Sequence, residues 1–133
     1  MNDVMKKLLI IFALVMFFTG FGQINKLRTT GVAYKYKTTK GWSDWSNWKD
    51  ISILILVNLN DLRITVYSKE VQTFDIITVS DTYKKDGVDT LDMYCVDSDG
   101  KKLIVSLTND KEIHLYIRYN DWQHVYSAYN LDN

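Results

Sequence analysis

The sequence predicts an all-β domain: an antiparallel meander of about eight strands forming a small barrel or rolled sheet, after an N-terminal signal helix. Three observations predict it. After residue 22 the composition turns to β-branched and aromatic residues; only Ala33 and Ala128 remain as alanines and only Glu70 and Glu112 as glutamates. Such residues suit a pleated, half-buried surface, whereas helical domains draw on Ala, Leu and Glu. Apolar residues then recur at every second position in short runs. The connections between most runs are too short for crossover helices, so neighbouring strands run antiparallel.

The runs follow one another along the chain. Val32, Tyr34 and Tyr36 alternate with Ala33, Lys35 and Lys37. Ile51 to Val57 is almost wholly apolar and reads as a strand covered on both faces. Leu62, Ile64 and Val66 alternate with Arg63, Thr65 and Tyr67. Val71 to Val79 is apolar in two phases, Phe74 and Ile76 and then Ile77 and Val79, which predicts a β-bulge or a change of sheet face near Ile76-Ile77. Leu91, Met93 and Cys95 share a face, as do Leu103, Val105 and Leu107. Ile113, Leu115, Ile117 and Tyr119 form the cleanest face, opposite His114, Tyr116 and Arg118, and Trp122 to Tyr129 is the last strand. Asp99-Gly100, between two alternating runs, is a hairpin signal. The two long connections are 38–50 and 80–87. Closing such a meander removes the sheet edges that a small domain must otherwise protect.

The N-terminus reads as an address. Lys6 and Lys7 precede an uncharged apolar run from Leu8 to Phe18, shorter than the ~20 residues of a spanning helix. Gly20 and Gly22 fit a small-x-small cleavage site, so residues 1–22 are expected to be a signal peptide and 23–133 a single β domain beginning at Gln23. An uncleaved anchor is the alternative, and contact with a membrane is then expected only through this segment. Either way the domain is expected outside the cytoplasm, secreted or periplasmic.

The 133 residues balance 16 Lys and Arg against 16 Asp and Glu, which removes the basic excess of a nucleic-acid binder. One Cys precludes an intrachain disulfide and a cysteine zinc cage, and the apolar company of Cys95 predicts an inert core thiol. Asp97-Ser98-Asp99-Gly100 fails as a calcium loop, because Cys95 and Ser106 fall where carboxylates are required. The acidic stretch of Asp81, Asp86, Asp89 and Asp92 is balanced by Lys84 and Lys85 and reads as a solvated loop. His114 and His124 are the only histidines, no nucleophile elbow is present, and both glutamates fall beside turns. No catalytic residue, metal or cofactor is therefore expected, and the domain reads as a non-enzyme.

The candidate ligand-binding residues are Trp42, Trp45 and Trp48 in Gly41-Trp42-Ser43-Asp44-Trp45-Ser46-Asn47-Trp48. A spacing of three aligns side chains along one edge of a polyproline-like or 3₁₀ path. The stretch spells the Trp-Ser-x-Trp-Ser box of cytokine receptors, but those domains need paired cysteines. In one reading the indoles cap an open end of the barrel, with an Arg such as Arg118 stacked on them; burial of at least two of the three is the expectation. In the other they are exposed and form a platform for a sugar ring.

Trp42-Ser43-Asp44-Trp45, then Ile51-x-Ile53-x-Ile55 and Leu62-Arg63-Ile64-Thr65-Val66-Tyr67-Ser68, resemble a group of small exported β-rich proteins of Bacteroidota and their phages. So do Cys95-Val96-Asp97-Ser98-Asp99-Gly100 and Leu115-Tyr116-Ile117-Arg118-Tyr119-Asn120-Asp121. The resemblance implies the fold and export and adds no site residue. The function expected is a non-catalytic binding or interaction module with a protein or glycan partner at the cell envelope. The alternatives are a barrel carrier of an apolar ligand, or a glycan-binding module using Trp42, Trp45 and Trp48.

Overall fold

A computed structural model describes residues 24–131 of the chain. The expected signal segment, residues 1–22, lies outside the described residues. Eleven strands follow in order: β1 (Ile24–Thr38), β2 (Gly41–Trp42), β3 (Lys49–Asp50), β4 (Leu54–Asn58), β5 (Arg63–Tyr67), β6 (Val71–Val79), β7 (Tyr83–Lys85), β8 (Val88–Asp97), β9 (Lys102–Asn109), β10 (Ile113–Arg118) and β11 (Trp122–Asn130). Eight of them form a closed antiparallel barrel in meander order, β1-β4-β5-β6-β8-β9-β10-β11, with β11 paired back onto β1. The remaining three are short: β2 and β3 pair with the stretch of β1 that runs past β4, and β7 folds back on β8.

The period-two faces account for the interior. Ile55, Ile64, Val66, Leu91, Met93, Val105, Leu115 and Ile117 point inward and are fully buried, with Phe74 and Tyr126 filling the gaps between them. Eight strands enclose a space just wide enough for side chains, and these large residues occupy it. Apolar inside and charged outside is the reverse of a membrane-spanning barrel. Of the two expected explanations for the phase switch, the bulge is the one present, since the β6–β8 register shifts between Ile76 and Thr78. The Asp97–Lys101 hairpin also forms: Asp97 Oδ1 accepts the amides of Asp99 and Lys101, and Gly100 takes a φ of 82°. Cys95 is buried on the inward face beside Leu91 and Met93, and burial pushes its thiol up to about 12.

Two boundaries differ from the sequence expectation. The first strand begins at Ile24, not near Val32, because Asn25 and Thr29 take inward positions and hide the alternation. Ile51 to Val57 is not one strand. Only Leu54–Asn58 pairs with β1, and residues 51–53 bend around a shift in β1 between Thr29 and Gly31. There the Thr29 hydroxyl donates to the Ile51 carbonyl and accepts the Ile53 amide, both at 2.9 Å, so the bend leaves those backbone groups satisfied.

Candidate binding site on the outer wall

The tryptophan segment, residues 42–48, does not cap the barrel. It runs as a strap along the free edge of β1. Gly41 starts it with a φ of 111°, a conformation that favours glycine. The two serines then dock it in the same way. Ser43 donates its amide to the Tyr36 carbonyl at 2.8 Å and accepts the Tyr36 amide on Oγ at 3.0 Å. Ser46 does the same to Tyr34, at 2.7 and 2.8 Å. Three strap residues thus match two strand residues, or about 6.7 Å of β1. The strap advances roughly 2.2 Å per residue, close to a 3₁₀ path and well short of polyproline II.

This spacing presents successive indoles to successive cross-strand rows on the outer wall. Directly opposed residues in an antiparallel sheet lie on one face. One row runs Gly31, Ser127, His114 and Thr108. The next runs Ala33, Val125, Tyr116, Ser106 and Asp92. The third runs Lys35, Gln123, Arg118, Ile104 and Tyr94. The Trp48 ring lies 6.1 Å from that of His114, and the Trp45 ring 6.1 Å from that of Tyr116. Lys35 Nζ sits 4.6 Å from the Trp45 ring and 5.5 Å from the Trp42 ring. Reaching across β1 and β11 in this way, the indoles shelter the outward Ala33, Val125 and Ser127, which are buried although they face away from the core.

The expected burial of two tryptophans is therefore corrected: Trp42, Trp45 and Trp48 are 40%, 38% and 54% exposed. Each lays part of its indole on the wall and leaves the rest to solvent. The stacking cation is Lys35 and not Arg118, because Lys35 lies in β1 between the two docked tyrosines. The fourth tryptophan, Trp122, packs elsewhere. Trp122 stacks on Tyr119 at 5.1 Å and on His124 at 4.7 Å, beside the β10–β11 turn. His124 is 2% exposed, neither ring nitrogen has a hydrogen-bond partner among the described residues, and burial pushes its pKa down to about 4.

On the far side of the wall stands β7. The Tyr83 hydroxyl donates to Asp92 Oδ2 at 2.9 Å, and Ser106 Oγ donates to Asp92 Oδ1 at 2.6 Å. Arg118 Nη2 lies 3.6 Å from the same Oδ1. Asp92 is thus no part of a solvated loop; it sits nearly buried in the outward face of β8, with its charge met by Arg118. Burial first, and the bond to Asp92 next, hold the Tyr83 phenol above its ordinary pKa.

Between the strap and β7 lies a cleft floored by the outward residues of β9 and β10. One part, about 490 Å³, is walled by Trp45 and Tyr83 over Tyr116 and Ser106. A second, about 840 Å³, lies towards Trp42, Tyr94, Ile77 and Ile104. Arg118 and Gln123 line both. The sequence singled out the strap and missed Tyr83, Asp92, Gln123 and the site role of Tyr116 and Arg118. The available signals were a carboxylate between Leu91 and Met93, and aromatic and cationic residues on the outward face of the cleanest strand.

His114 also lines the smaller part, with Nε2 3.2 Å from Glu112 Oε1. No three His, Cys, Asp or Glu side chains come together among the described residues in an arrangement that could hold a metal ion. No protein-family model matches the chain, and neither a curated protein nor a solved structure matches it.

Proposed function

We propose that this is an exported, non-catalytic carbohydrate-binding domain whose site is the cleft on the outer wall of the barrel. The observation that carries this reading is the presentation of Trp42 and Trp45 along one rim of the cleft, with Trp48 continuing the strap beyond it, each partly exposed. Sugar rings offer apolar C–H faces and a belt of hydroxyls. A site for them needs exposed aromatic faces beside fixed polar groups, and the cleft sets Trp45, Tyr83 and Tyr116 beside Arg118 and Gln123. Tyr83, Tyr116, Arg118 and Gln123 stand on paired strands and Trp45 on the serine-docked strap, so the site is preorganised. The apolar-ligand carrier has less support, because large side chains occupy the inward faces. Export rests on the charge, apolar run and small residues of segment 1–22.

Screening the protein on an array of neutral and acidic glycans tests the reading. Saturable binding that quenches tryptophan fluorescence is expected. Absence of binding to every glycan would refute it.

A further inference from the structure

The cleft differs in charge from the rest of the chain. Residues 23–133 carry 14 basic and 15 acidic residues, so the domain as a whole is close to neutral. The larger part of the cleft is lined by Lys37, Lys102 and Arg118 and by no acidic residue. The smaller part adds Lys35 and Lys85 against Asp86 and Asp110. Five cations thus line the cleft against Asp86 and Asp110, at the rim and floor of a concave surface, where low-dielectric walls strengthen their field.

Arg118 stands at the junction of the two parts and is prepared for an anion. Asp92 lies beneath it and contacts only Nη2, at 3.6 Å. The carboxylate is otherwise occupied, Oδ1 by Ser106 and Oδ2 by Tyr83. The guanidinium is therefore anchored from below without being saturated, and 29% of its side chain remains exposed. With Nε buried, the guanidinium turns its Nη edge outward, and that edge suits a carboxylate. Lys35 is fixed nearby by the Trp42 and Trp45 rings. The lined floor extends along β10 from His114 to Arg118, about 13 Å at strand spacing, and on to Asn120 in the turn, which accommodates a chain of rings and not only one.

We propose that the cleft binds an acidic polysaccharide, a chain of sugar rings carrying carboxylates, with Arg118 taking a carboxylate and Lys37 and Lys102 flanking it. This inference rests on the carbohydrate-binding reading above and adds the charge class of the sugar.

The test compares two uronic-acid polymers, polygalacturonate and alginate, each beside its own carboxyl-reduced form, with a single-stranded oligonucleotide as a further polyanion. Binding to at least one uronate is expected, with a loss of tenfold or more on carboxyl reduction and a marked loss between 50 and 200 mM salt. The double variant Lys37→Gln/Lys102→Gln, at two exposed positions, should weaken that binding about tenfold with an unchanged melting temperature. Arg118→Lys, which keeps the charge and loses the Nη edge, should also weaken it. Equal binding of the acidic and reduced polymers would overturn the inference and leave the carbohydrate reading standing. Binding to neither member of either pair, with no neutral glycan bound, would defeat both. Preference for the oligonucleotide over both uronates would overturn the inference in favour of a nucleic-acid ligand.

Discussion

Ser46 holds Tyr34 by both backbone groups: its amide donates to the Tyr34 carbonyl at 2.7 Å, and its hydroxyl oxygen accepts the Tyr34 amide at 2.8 Å. Ser43 repeats this on Tyr36. The strap therefore needs a short hydroxyl side chain at these two positions. Ser46→Ala leaves the Tyr34 amide without its partner and should cost about 1 kcal/mol, and Ser43→Ala should cost the same. The double variant should expose the bond after Lys40 or Lys49 to trypsin under native conditions. Cleavage no faster than in the parent would contradict the docking role.

Gly31 lies where Trp48 meets the sheet. A Cβ there would come within 3.2 Å of both Trp48 Cε3 and Ser127 Oγ. Gly31→Ala should displace the Trp48 indole, red-shift the tryptophan emission and destabilise the domain by roughly 1–3 kcal/mol, as overpacking does. An unshifted spectrum with unchanged stability would show that Trp48 does not rest on this backbone.

His124 gives the domain a defined weakness to acid. Its folded pKa, about 4, lies below the ordinary value of 6.5 because the ring is buried among Trp122, Tyr126 and Tyr34. The unfolded chain therefore takes up a proton first. The stability present above pH 6.5 is lost as pH falls towards 4, by up to roughly 3 kcal/mol. Urea unfolding at pH 7.5 and 4.5 measures the loss. His124→Phe should lose less stability over that interval than the parent, and an equal loss in both would remove His124 as the cause.

The barrel was legible in the sequence because its interior obeys a strict period of two. Leu91-x-Met93-x-Cys95 and Ile113-x-Leu115-x-Ile117 state which side faces inward, and the doubled phase at Ile76-Ile77 states where the ladder slips. The first half of β1 was not legible, because Asn25 and Thr29 point inward without being apolar. The site was half legible. Spacing three put Trp42, Trp45 and Trp48 on one edge, but local sequence does not say which surface that edge meets. That depends on register: Tyr116 opposite Val125 and Val125 opposite Ala33 make the row on which Trp45 lies. Arg118 was expected among the indoles. It is paired with Asp92 instead, because the two residues face outward one row apart.

Cys95 should behave as a core residue. Its thiol is buried with a pKa pushed up to about 12, so almost none is thiolate at neutral pH. A thiol reagent such as Ellman's should leave the native protein unmodified and label one thiol after denaturation. Rapid native labelling would contradict its inward position.

The central claim is that the strap builds a binding surface and not a core. Fully buried tryptophans cost about 3–5 kcal/mol on replacement by alanine. Trp45, 38% exposed, should cost roughly half of that and leave a folded domain with its melting temperature lowered by about 10 °C or less. The decisive measurement is calorimetric titration of parent and Trp45→Ala with the best-binding glycan, alongside thermal unfolding of both. The account predicts a folded variant whose affinity falls at least tenfold. A variant that binds as the parent does, or that fails to fold at all, would contradict it.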